Sequence, residues 1–239
     1  MKKILIGCIL LLTACQGAAL TPTVEASLPS TSIPTLDPVT PTPLATATTF
    51  PNPLYFTDEF DIVSPYWEIF QTGGTTAPLA AVENGSMRIT HSTADTWSIG
   101  IYNANTYSNV FVRAQASVAP TGSIGVVCRY DETSGWFEFN LGSDGATSLL
   151  FGQWLTPGIA QYKPINTESA KQVSPAGQGN VIGLFCEDDF LHLYVNDTLV
   201  LNVDVTNYGL TQGNIGITAS SFAEAPMTAS FEWVKIDSK

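Results

Sequence analysis

Trp136-Phe137-Glu138-Phe139-Asn140-Leu141 alternates between two kinds of side chain. Successive residues of a strand point to opposite faces, so Phe137, Phe139 and Leu141 share one face and Trp136, Glu138 and Asn140 the other. The first set predicts core. The second puts an indole, a carboxylate and an amide in a row, groups that stack on the C–H side of a sugar ring and bond its hydroxyls. Parity also predicts Arg129 outward, and His192 and Tyr194 outward on a later run, with Tyr102 a weaker member. Arg129, Trp136, Glu138, Asn140, His192 and Tyr194 are therefore the candidate ligand-binding residues, forming a shallow groove for a polysaccharide or other glycan. The alternative is a plain solvent-facing sheet on which Arg129 and Glu138 form a cross-strand ion pair. Parity does not say which sheet each strand joins, so His192 and Tyr194 can lie on the opposite side from Trp136.

Strands must position these groups. From Ile124 to Leu155, three β-rich runs are punctuated by Asp131-Glu132-Thr133-Ser134-Gly135 and Gly142-Ser143-Asp144-Gly145, the pattern of an antiparallel meander. Short runs with turn residues between them continue on both sides, and a polar, Pro-containing stretch from about Pro157 to Gly179 reads as a long loop. No amphipathic helix is evident. The pattern predicts an all-β fold, a two-sheet antiparallel sandwich over residues 54–239. Cys128 and Cys186 both fall on faces that read as buried, so one disulfide is the simplest pairing for an exported chain, with two buried free thiols as the alternative.

The N-terminal segment reads as an address and a tether. Lys2 and Lys3 precede the apolar run Ile4 to Leu12, a signal-peptide pattern too short to span a bilayer. The run ends in Leu12-Thr13-Ala14-Cys15, which resembles the lipobox of bacterial lipoproteins. That resemblance implies a signal peptide over 1–14, lipidation of Cys15, a membrane anchor and a place in the cell envelope outside the cytoplasmic membrane; an ordinary signal peptide is the alternative. Residues 15–53 are rich in Thr and Pro and predict a disordered linker. The formal net charge is −12, with no basic stripe, which argues against nucleic acid and against electrostatic adhesion to anionic lipid.

Phe56-Thr57-Asp58-Glu59-Phe60-Asp61, Asn84-Gly85-Ser86-Met87-Arg88-Ile89, Gly125-Val126-Val127-Cys128-Arg129-Tyr130, Leu191-His192-Leu193-Tyr194-Val195-Asn196 and Phe231-Glu232-Trp233-Val234-Lys235-Ile236 occur in that order. The whole resembles a concanavalin A-like lectin/glucanase jelly roll, similar to laminin G-type modules and to glycoside hydrolase family 16. Family 16 enzymes carry Glu-x-Asp-x-Glu on one strand. Here Glu138 takes the middle place, while Trp136 and Asn140 occupy the flanking ones. Retaining glycoside hydrolysis needs two carboxyl groups about 5 Å apart, so the resemblance implies a non-catalytic binding module. A divergent hydrolase and a protein-docking envelope module are the rival readings. The acidic groups Asp58, Glu59 and Asp61, and the triplet Glu187-Asp188-Asp189, raise a structural calcium ion, although neither has the spacing of a defined calcium loop.

Overall fold

Residues 52–169 and 173–238 are described in a computed structural model. The expected signal peptide, the expected lipidation site Cys15 and nearly all of the expected linker lie outside the described residues. Alternating apolar and polar side chains form fifteen strands among the described residues. They are β1 (Phe56–Asp58), β2 (Trp67–Gly73), β3 (Leu79–Val82), β4 (Met87–His91) and β5 (Thr96–Tyr107). There follow β6 (Val110–Ala119), β7 (Ser123–Asp131), β8 (Gly135–Gly142), β9 (Ala146–Thr156) and β10 (Ile159–Ser169). The last five are β11 (Asn180–Glu187), β12 (Phe190–Val195), β13 (Thr198–Asp204), β14 (Gly213–Ser220) and β15 (Met227–Asp237).

They pair antiparallel into two sheets. One runs β13-β12-β11-β6-β15-β4-β3, with β1 also on β15; the other runs β10-β9-β8-β7-β14-β5-β2. The two-sheet sandwich expected from the sequence is what forms. The meander holds too, since β7 pairs with β8 and β8 with β9. Phe137, Phe139 and Leu141 enter the core between the sheets with Ile124, Val126, Ile182 and Leu184. The stretch read as a long loop is different. Its first half is strand β10, which pairs along β9 through a register shift near Pro164. Its Gln, Lys, Asn and Thr residues carry little apolar signal because β10 is an edge strand with much of its length exposed.

A disulfide and a hydrogen bond are among the contacts that cross the sandwich. Cys128 on β7 and Cys186 on β11 form a disulfide with Cα atoms 6.7 Å apart. His91 on β4 bonds Ser98 on β5, Nε2 to Oγ, at 2.7 Å. Its ring is buried, and burial lowers its pKa from the ordinary 6.5 to about 4.

Both contacts carry testable consequences. Replacing Cys128 and Cys186 by alanine should lower stability in urea titrations by at most about 4 kcal/mol, because the bridge closes a loop of 58 residues. His91 is held neutral, so between pH 6.5 and about 4 the unfolded chain binds the extra proton. Stability should therefore fall as pH drops through that window, by roughly 2–3 kcal/mol, and His91→Gln should flatten the slope.

Candidate functional site

On the seven-stranded sheet, Trp136, Glu138 and Asn140 do point away from the main core, yet all three are buried, Trp136 and Glu138 at 0% exposure. The sheet curls until its edge strands meet. The Ala160 N–H of β10 donates to Thr72 Oγ1 of β2 at 3.0 Å. Trp97 packs on Tyr162 at 5.9 Å between ring centroids, and Phe70 on Trp154 at 6.2 Å. Trp136 sits beneath them against Tyr130, Trp154 and Tyr162, in a second apolar cluster with Ile99, Ile101 and Val127. Its indole lies over Gly152 on β9, where any Cβ would collide with the ring.

Inside this curl, Trp136 Nε1 donates to Glu138 Oε2 at 3.0 Å and Asn140 Nδ2 to Glu138 Oε1 at 2.8 Å. Thr218 Oγ1 donates to Asn140 Oδ1 at 2.9 Å. The Tyr162 hydroxyl faces the same carboxylate without reaching hydrogen-bond geometry. Burial pushes the Glu138 carboxyl above its ordinary range, and the hydrogen bonds it accepts pull the other way without cancelling the shift.

Arg129 is the clearest departure from parity. A bulge between Cys128 and Asp131 resets the alternation, and Arg129 takes φ 53°. Its guanidinium turns into the end of the sandwich and donates to the carbonyls of Leu210 (2.8 Å), Ser108 (3.3 Å) and Asp188 (2.6 Å). It clamps three loops and makes no ion pair with Glu138. The bulge delivers Tyr130, the next residue, to the curled face instead. His192 and Tyr194 lie on β12, in the other sheet. His192 stacks on Phe185 at 5.5 Å and Tyr194 packs on Phe111 at 5.2 Å. The six residues therefore form no single groove. Tyr102, the weaker member, is in the main core.

What stays open lies at the mouth of the curl. Two adjoining depressions of about 500 and 530 Å³ share Phe70, Tyr130 and Glu132. Phe70 stacks on Tyr130 at 6.2 Å, and Trp154 Nε1 donates to the Tyr130 hydroxyl at 3.0 Å, so three rings make one floor. Glu132 and Glu68 stand exposed on the rim. Asp131 Oδ1 accepts from Thr133 N, Thr133 Oγ1 and Ser134 N, which fixes the turn carrying Glu132 and lowers the Asp131 pKa to about 2. Burial raises the Tyr130 phenol, the bond from Trp154 opposes this, and the charges of Glu132, Glu68 and Asp131 add to it. These floor residues escaped the sequence reading. The bulge after Cys128 and the strand β10 are what place them.

No protein-family model and no curated protein sequence matches the chain. Solved structures do. The carbohydrate-binding module CBM66 from Bacillus subtilis superposes with a TM-score of 0.51 at 13% identity, over 70% of this chain and 91% of that one. A Bacillus licheniformis beta-glucanase gives 0.54 at 14% identity, over 76% and 97%. A Bacillus subtilis protein of unknown function with a galectin-like fold gives 0.55 at 13%, over 77% and 94%. The fold is a jelly roll of the concanavalin A-like kind.

Two of the acidic groups raised for calcium, Asp58 and Asp188, are engaged in hydrogen bonds. Asp58 accepts from Phe60 N and Trp67 Nε1, both within 2.9 Å, and Asp188 exchanges hydrogen bonds with Asn109. Among the described residues no three His, Cys, Asp or Glu side chains gather to hold an ion.

The raised Glu138 pKa sets a pH dependence opposite to that of His91. The folded state holds the proton more tightly, so stability should fall as pH rises from the ordinary carboxylate range through the raised value. Glu138→Gln should abolish that slope. Its amide accepts from only one of the two N–H donors, so the variant should be roughly 1–3 kcal/mol less stable at mildly acid pH, with the gap narrowing as pH rises. Denaturant titrations across pH measure both.

Proposed function

We propose that this chain is a non-catalytic carbohydrate-binding module, tethered at the cell envelope through Cys15, that holds its glycan in the groove floored by Phe70, Tyr130 and Trp154. The observation that carries the reading is a groove with an aromatic floor, half-buried at Phe70 and Trp154 over the buried Tyr130, and carboxylate and amide groups on its rim, on a fold shared with a carbohydrate-binding module. Flat rings take the C–H faces of sugars, while the Glu132 and Glu68 carboxylates and Gln71 Oε1 accept from hydroxyls; Gln71 Nε2 is given to the Gly73 and Thr76 carbonyls. The non-catalytic part rests on the curled face. The one carboxylate of the β8 alternation has both oxygens occupied and is closed off from any substrate.

A protein-docking module is the second reading, favoured by Leu155, 61% exposed on the wall of the groove, and Ile159, 55% exposed on the same β9–β10 hairpin.

Affinity electrophoresis through polysaccharide gels separates the two. The wild-type chain should be retarded by at least one glycan, and Phe70→Ala or Trp154→Ala should weaken that binding roughly tenfold. Ile159→Ser, which lies outside both depressions, should leave it intact. Thermal melts of each variant check that the fold survives. No retardation by any glycan removes the lectin reading.

A further inference from the structure

The groove has a charge as well as a shape. Its rim carries Glu68, Asp131 and Glu132, and no Lys, Arg or His lines either depression. Nearby basic groups are committed elsewhere: Arg129 is buried against loop carbonyls, and Lys163 lies over the Tyr208 ring at 5.4 Å. The floor independently points to the same class of ligand. Aromatic faces carry negative potential and attract cations, and the half-buried Phe70 and Trp154, backed by the buried Tyr130, line the groove beside those carboxylates. A sulfated or uronate glycan would meet only repulsion here, in a chain whose formal net charge is −12. A neutral sugar would use the carboxylates only as acceptors for its hydroxyls, without the gain that a charge-assisted bond brings.

Resting on the reading that this groove binds sugar, we infer that its ligand is an amino sugar with a free ammonium group, as in a deacetylated hexosamine polymer. The ring lies on the Phe70–Tyr130–Trp154 floor, and the ammonium donates to Glu132 and Glu68 in charge-assisted hydrogen bonds. N-acetylation removes both the charge and the match. Asp131 adds to the field from the neighbouring turn, which its Oδ1 holds.

The test is affinity electrophoresis of the full chain through gels of glycol chitosan, of the same polymer N-acetylated, and of a neutral β-glucan. Two double variants accompany it: Glu68→Gln with Glu132→Gln in the groove, and Glu59→Gln with Glu83→Gln away from it, which lose the same charge. Retardation by the amine polymer should exceed that by its acetylated form. The groove variant should weaken it roughly tenfold or more, while the distant variant stays within about twofold of wild type. Equal weakening by the two variants would mean general attraction between a polycation and an acidic protein, and would overturn the inference. Binding to the neutral or acetylated polymer as strong as to the amine form would also overturn it, leaving the groove as a sugar site. Failure of the amine polymer to retard the chain would overturn the inference, while the sugar-binding reading falls only if no glycan of the wider set retards it.

Discussion

A carboxylate closed between two N–H donors, on the side of a sheet that alternation alone would give to solvent, constrains the rest of this structure. Glu138 can be kept there only if Trp136 and Asn140 saturate its oxygens and if water is excluded above it. Exclusion requires a roof, and the edge strands supply one by curling until β2 and β10 touch through Ala160 and Thr72. The roof requires large rings, which Trp97, Tyr162, Trp154 and Phe70 provide. Gly152 makes the depth for the indole beneath. The curled sheet thus becomes a second cored layer stacked on the first.

Closing that face displaces the open surface. The open surface lies at the mouth of the curl, where the last rings of the roof emerge and the β7–β8 turn places Glu132. Glu138, Arg129 and Asn140 act as internal struts, whereas Glu68 and Glu132 stand exposed at the mouth.

Much of this was legible in the residues. Alternation in β8 gave the right two faces, and turn residues marked the meander and most strands. The apolar settings of Cys128 and Cys186 matched their pairing across the sheets. Two features were not legible. Alternation reports which way a side chain points, never how strongly a sheet bends, so it could not distinguish an open face from a roofed one. Strand β10 looked like a loop because an edge strand needs few apolar groups, and that is the strand which buries Trp136. A bulge is equally silent: one extra residue after Cys128 exchanged the places of Arg129 and Tyr130. The signals present were indirect. Gly125, Gly152 and Gly216 inside central strands mark places where something packs too closely for a side chain.

The sealing of Trp136 can be read directly from the hydrogen exchange of the five tryptophan indole N–H groups, followed by NMR in the native protein. With the edges of the sheet in contact, the Trp136 N–H should exchange only as fast as the whole domain unfolds, while that of Trp154, at the mouth, exchanges sooner. A Trp136 indole that exchanges at the rate of an exposed group would show the face to be open, and would contradict the roofed sheet on which the groove assignment depends.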